Sequence, residues 1–242
     1  MKIFGVNISY TNYDSILKEF GQCIDNNSKL IATYVTAASL LEIKKDQNLY
    51  KIYNSFDIVH SDGIGVYLAF KLLRTDNNSI KRMTGSDLYP ILMDRAIKNN
   101  WSFYFFGERN ETLEKISNIH TKLKIAGKHP GYNFIDNKVV DDINSAKPDI
   151  LIIGLGAPIQ EKWVVRNKDR LNAKIIICVG QGIRVFSGEK DRGTKLLQKI
   201  GLEWFVRLCC EPRRLWRRYI IGIPLFIYYI IKEKISPRDY AS

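Results

Sequence analysis

The stretch Ile150-Leu151-Ile152-Ile153-Gly154-Leu155-Gly156-Ala157-Pro158-Ile159-Gln160-Glu161-Lys162-Trp163 decides the fold. An apolar run ends in a Gly-x-Gly turn and is followed by a segment with apolar residues at three- and four-residue intervals. Strand, glycine turn and helix in succession form the unit of an α/β sheet. Working outward, Leu30 to Thr36, Ser102 to Phe106 and Lys174 to Val179 read as further strands. Their near-continuous apolarity predicts strands covered on both faces. Leu40 to Phe56, Ser86 to Asn99, Glu111 to Leu123 and Gln160 to Leu171 carry the helical period. The expected architecture is a Rossmann-like, largely parallel α/β sheet flanked by helices over residues 1–189, with a basic, amphipathic helical appendage over residues 190–242.

The appendage stands out by composition. The chain of 242 residues has a net charge of +12, and from Lys190 to Ser242 twelve Lys/Arg face five Asp/Glu. The basic stretch runs into Ile220-Ile221-Gly222-Ile223-Pro224-Leu225-Phe226-Ile227-Tyr228-Tyr229-Ile230-Ile231. A spanning helix needs about 20 apolar residues, so this run is expected to lie on a membrane or to fold back onto the body. Cations beside an apolar run favour an anionic membrane surface over nucleic acid. The N-terminus turns polar too early for a signal peptide. The four cysteines have no C-x-x-C spacing, and with three histidines no metal cluster is expected. The protein is therefore expected in the cytoplasm, peripheral on the inner face of the cell membrane.

Four segments carry candidate chemistry. In Val59-His60-Ser61-Asp62-Gly63-Ile64-Gly65, Asp62 sits at a strand end beside two glycines. It reads either as a general base or as the N-cap of a helix through Tyr67 to Leu73. The Gly154-x-Gly156 turn fails the dinucleotide fingerprint at Ile159, which argues against an NAD-dependent oxidoreductase. Its helix N-terminus still suits phosphate, with Gln160 and Glu161 reading as partners of sugar hydroxyls or Glu161 as a helix-dipole partner. In Arg82-Met83-Thr84-Gly85-Ser86-Asp87, Ser86 or Asp87 reads as an N-cap and Arg82 as a cation for phosphate or carboxylate. Arg207, Arg214 and Arg217 recur at spacings that place them on one helical face, able to clamp a diphosphate or to be a solvated charge run.

In order and spacing, these segments resemble the WecG/TagA/CpsF glycosyltransferases: Asp62-Gly63-x-Gly65, Arg82-x-x-Gly85-x-Asp87, Gly154-x-Gly156-x-Pro158-x-Gln160-Glu161-x-Trp163, and Gly201-Leu202-Glu203-Trp204-x-x-Arg207-Leu208 with Glu211-Pro212-x-Arg214-x-x-Arg217-Arg218. Gly107 and Gly131-Tyr132 fit the same pattern. The resemblance covers roughly Ile3 to Lys232. It implies an inverting enzyme, needing no cofactor or divalent metal, that moves N-acetylmannosamine, its uronic acid or a hexose. The donor is a UDP-sugar and the acceptor a polyprenyl-diphosphate-linked sugar of a cell-envelope polysaccharide or teichoic acid.

By that resemblance Asp62 is the catalytic base. Thr36, Gly63, Arg82, Gly85, Asp87, Gly107, Tyr132, Gly156, Gln160, Glu161 and Arg184 serve the donor, and Arg207, Arg214 and Arg217 meet the acceptor diphosphate. Three departures stand out: Tyr34-Val35-Thr36 replaces Thr-x-Asn, Ile183-Arg184 replaces Phe-Asp, and Arg192-Gly193-Thr194 replaces Arg-Ala-Pro. The first two motivate a rival reading, a catalytically silent nucleotide- or lipid-binding scaffold of the same fold. Retained Asp62, Gln160, Glu161 and all three tail arginines argue for the enzyme. A homo-oligomer is expected as one means of covering the apolar tail where lipid is absent.

Overall fold

A computed structural model describes residues 1–9, 12–73, 82–189 and 202–236. Its centre is a six-stranded parallel sheet built from β3 (Leu30–Val35), β4 (Ile58–Ser61), β5 (Ser102–Gly107), β6 (Lys124–His129), β7 (Ile150–Gly154) and β8 (Ile175–Cys178), in the order β4-β3-β8-β7-β5-β6. The four apolar runs read from the sequence are strands, and β3, β8, β7 and β5 occupy the interior of the sheet. Along β7, Leu151 and Ile153 enter one core while Ile150 and Ile152 enter the other. Alternate side chains therefore bury both faces, which is why the run shows no polar alternation.

Helices α2 (Ala37–Ile43), α3 (Gln47–Asn54), α4 (Ile64–Leu73), α7 (Asp136–Ala146) and α8 (Ile159–Asn167) supply the first core. Helices α1 (Tyr13–Asp25), α5 (Gly85–Asn99), α6 (Asn110–Ile119) and the short α9 (Ile183–Phe186) supply the second. The expected single helix from Leu40 to Phe56 is in fact two. Asp46 breaks it: its Oδ1 accepts from the backbone N–H groups of Asn48 and Leu49 at 2.8 and 3.4 Å, capping a new helix. The cap of α5 is Thr84 rather than Ser86 or Asp87, with Thr84 Oγ1 accepting from Asp87 N at 3.2 Å.

A hairpin, β1 (Lys2–Ile3) and β2 (Val6–Asn7), precedes the sheet and turns on Phe4 and Gly5, both at positive φ (48° and 81°). After α9, the proposed boundary at Lys190 lies outside the described residues. The chain is described again as α10 (Glu203–Cys210), α11 (Pro212–Trp216), one π-helical turn (Arg217–Ile221) and α12 (Gly222–Ile235). The apolar run of the tail is α12. It packs against α2 and α4 and places Phe226 and Ile230 in the first core. Burying such side chains stabilises the docked helix by roughly 1.5–3 kcal/mol each. Its other face leaves Ile227, Tyr228 and Ile231 exposed. Among the described residues no helix is long and apolar enough to cross a membrane.

Candidate active site

The chain leaves β5 outward to β6 but leaves β7 in the other direction, to β8, so the sheet has a topological switch between β5 and β7. Ligands of open α/β sheets bind at the carboxyl ends of strands at such a point. Here Gly107 and Gly154, register partners, end the two strands. Gly107 has φ of +139°, and a Cβ on it would lie 2.6 Å from the Gly154 carbonyl carbon. A Cβ on Gly154 would lie 2.9 Å from the Ile183 side chain, so close packing of the strand ends requires glycine at both positions.

That cavity, of about 370 Å³, is polar and is walled by Tyr132, Gly156, Gln181 and Arg184 from the core and Arg214 and Arg218 from the tail. Arg184, the departure from Phe-Asp, donates from Nε to Glu108 Oε1 at 2.7 Å, and Glu108 lines the same cavity. A second cavity, of about 300 Å³, is mostly apolar and lies between α4, α10 and α12. Leu68, Leu72, Trp204, Ile223 and Ile227 line it, together with Gly63 and Arg82.

Asp62 stands in the wall of both cavities. Its N–H is fixed to the Val35 carbonyl at 2.8 Å, and Gly63 turns the chain at φ +89°. The capping alternative for Asp62 is not what the structure adopts. Oδ1 instead accepts from the N–H of Gly85, the first residue of α5, at 3.0 Å. The Asp62 and Arg82-to-Asp87 segments thus form one unit. Thr36 also borders both cavities and caps α2 through a reciprocal box with Ser39. Thr36, at the departure from Asn, thus keeps a helix-capping side chain.

Several expected residues stand elsewhere. Gln160 and Glu161 do not meet the cavity; both are wholly buried beneath it. Gln160 Oε1 accepts from the Gly180 N–H at 2.8 Å, and Glu161 Oε1 accepts from Gln160 Nε2 and Thr33 Oγ1, each at 2.8 Å. They position the Gly180–Gly182 turn, which forms cavity wall, rather than presenting groups to a sugar. Burial raises the Glu161 pKa against those two hydrogen bonds, and its Oε2 has no hydrogen-bond partner. Asp87 lines neither cavity; it accepts from Thr84 Oγ1 at 2.8 Å and so stiffens the α5 entry.

The tail arginines do not share one helical face. Glu211-Pro212 ends α10 and starts α11, so Arg207 stands on a different helix from Arg214 and Arg217. Arg214 lines the polar cavity and pairs with Glu211. Arg217 lies over the Trp216 ring at 5.3 Å and lines neither cavity, and the side chain of Arg207 lies outside the described residues. Arg218, not selected from the sequence, lines both cavities and donates to Thr36 Oγ1 at 3.3 Å. Its signal was the second arginine of Arg217-Arg218, which stands four residues after Arg214 and so on the same helical face.

A switch-point cavity that shares Thr36, Ala38, Asp62 and Arg218 with an apolar one gives this α/β protein room for a polar and an apolar partner side by side. The chain belongs to the glycosyl transferase WecG/TagA/CpsF family, whose model matches residues 1–240, and it is a glycosyltransferase. It is similar to the N-acetylglucosaminyldiphosphoundecaprenol N-acetyl-beta-D-mannosaminyltransferase of Bacillus subtilis strain 168, with 28% identity over 239 residues, 97% of this chain and 91% of the relative. The identically named protein of Bacillus spizizenii W23 is 30% identical over 194 residues, 78% of this chain and 74% of the relative. That of Staphylococcus aureus MRSA252 is 26% identical over 238 residues, 96% and 92% of the two chains.

Proposed function

We propose that this protein transfers an N-acetylmannosamine-like sugar, its uronic acid or a hexose from a UDP-sugar to a polyprenyl-diphosphate-linked N-acetylglucosamine, inverting the anomeric centre. The names of the relatives supply the lipid acceptor and the mannosaminyl group. The observation that carries the reading is the position of Asp62 in the shared wall of the polar and apolar cavities. The nucleotide sugar occupies the polar cavity, its diphosphate near the Gly156 turn and the N-terminus of α8. The first part of the lipid enters the apolar cavity under α12.

Asp62 takes the proton from the acceptor hydroxyl as its oxygen forms the bond to the anomeric carbon. The opposite bond, to the UDP oxygen, breaks in the same event, and the electron pair leaves on UDP. Backbone N–H groups of the α8 entry and the cavity arginines stabilise that charge. Residues 1–189 act as the donor-binding core and 190–242 as the acceptor- and membrane-binding appendage, on the inner face of the membrane. The test is transfer from a panel of UDP-sugars to a short-chain polyprenyl-diphosphate N-acetylglucosamine, with the product's anomeric configuration read by NMR. One donor giving an inverted product is expected; a retained configuration contradicts the single displacement at Asp62.

A further inference from the structure

Two phenol rings in the wall of the polar cavity end in hydroxyls for which the chain provides no partner. Tyr34, near the end of β3, and Tyr89, in the second turn of α5, both line that cavity, and among the described residues neither hydroxyl makes a hydrogen bond to protein. Tyr89 is 2% exposed. A polar group at that depth is expected to have a partner, and the cavity is where one can arrive. Both rings are fixed by packing. Tyr89 stacks on Phe186 with ring centroids 5.2 Å apart, and the Tyr34 ring lies 6.1 Å from that of His60. Glycines clear the way for the tips. A Cβ on Gly180 would lie 2.4 Å from Tyr34 Oη, one on Gly85 2.5 Å from Tyr89 Oη, and one on Gly182 2.4 Å from the Tyr89 ring. Gly85 is also the residue whose N–H holds Asp62 Oδ1. The Tyr89 hydroxyl therefore packs against the backbone that fixes Asp62, and Asp62 lines the same cavity.

We infer that the hydroxyls of Tyr34 and Tyr89 bind the ring substituents of the transferred sugar and so set which sugar is accepted. This rests on the transferase reading above. In that reading the anomeric carbon must reach the oxygen that Asp62 deprotonates, so the wall beside Asp62 faces the sugar rather than the nucleoside. The chemistry of the groups decides in the same sense. Burial raises the pKa of both phenols, with Glu161 and Asp62 adding to it at Tyr34 and Asp62 at Tyr89, so both stay neutral. A neutral O–H donates and accepts at once, which matches sugar hydroxyls and the carbonyl of an acetamido group. Phosphate finds stronger, charge-assisted partners elsewhere in the cavity. Tyr34 stands where the resemblance expects the threonine of Thr-x-Asn. Its ring carries the hydroxyl from β3 across the neighbouring β8 to Gly180, farther than a threonine side chain extends.

The test uses the full chain with Tyr34→Phe and Tyr89→Phe, which keep each ring and remove its oxygen; thermal melts check folding. UDP affinity is measured by calorimetry, and kcat/KM by transfer to the short-chain acceptor from UDP-N-acetylmannosamine, UDP-N-acetylglucosamine and UDP-glucose. The expected result is a fall of about tenfold in kcat/KM for the preferred donor in each variant, a smaller fall for the others so that discrimination narrows, and UDP affinity within about twofold of wild type. A loss shared equally by all donors, or matched by a loss of UDP affinity, overturns the inference, since the hydroxyls then serve the fold or the nucleotide. Folded variants whose kcat/KM values all stay within about twofold of wild type overturn it as well, while leaving the transferase reading intact. If the unaltered protein transfers nothing, that reading fails, and the affinity of each UDP-sugar relative to UDP decides the hydroxyls alone: reduced in the variants upholds sugar binding by them, unchanged overturns it.

Discussion

At the residue scale, the site is a small set of polar groups held by buried neighbours. His60, two residues before Asp62 on β4, is buried, and burial lowers its pKa below the ordinary 6.5 against a hydrogen bond between Nδ1 and the Ser61 carbonyl; its Nε2 has no hydrogen-bond partner. The unfolded chain therefore takes up a proton on this ring before the folded one does. Stability from the neutral ring is present above pH 6.5 and is lost as pH falls through that value toward the folded pKa. His60→Phe should flatten the acid side of a plot of melting temperature against pH relative to wild type; parallel acid limbs would rule out this contribution. Glu161 works in the opposite sense, since its raised pKa makes its share of stability decline as pH rises above 4.5. Asp62 was legible because a carboxylate between an apolar strand and two glycines has little choice of place. Gln160 and Glu161 were half legible: the pattern marked them, but only the packed structure puts them under the cavity rather than in it.

At the element scale, the tail is anchored by the first residues of the chain. Phe4, at the hairpin turn, meets Phe226 and Tyr229 edge-on, with ring centroids 6.0 and 6.3 Å away. Its N–H donates to Glu233 Oε1 at 3.1 Å, and Lys44 Nζ lies within 4.9 Å of both the Phe4 and Tyr229 ring centroids. The hairpin thus clasps α12, and α12 roofs the apolar cavity. Phe4→Ala should cost about 3–5 kcal/mol and raise amide exchange in α12 more than in β7. Exchange unchanged in α12 would separate the hairpin from the roof. Sequence periodicity found the interior strands because both their faces are buried. It missed β6, whose Lys124-Ile125-Ala126-Gly127-Lys128-His129 is an edge strand with a partly exposed surface. Helix α1 also went unassigned, although Asn12 caps it and Ile16, Leu17, Phe20 and Ile24 bury one stripe.

At the scale of the whole molecule, the polar and apolar cavities meet where the sheet's carboxyl edge faces the tail. The overall α/β plan was legible from alternating runs, whereas the junction of two cavities was not, because it joins residues nearly two hundred positions apart. The exposed Ile220, Ile227 and Ile231 beside the basic residues form the proposed membrane face. Replacing all three with Glu should abolish flotation with anionic vesicles while leaving UDP affinity unchanged, and added salt should weaken flotation of the wild type. Unaltered flotation of the variant would place the membrane contact elsewhere. The central claim is that Asp62 serves both cavities as the base. Its most direct test is acceptor-dependent UDP release by wild type and Asp62→Asn side by side. The account predicts a loss of roughly two to four powers of ten in rate with UDP affinity and melting temperature preserved; a variant that turns over at the wild-type rate would contradict it.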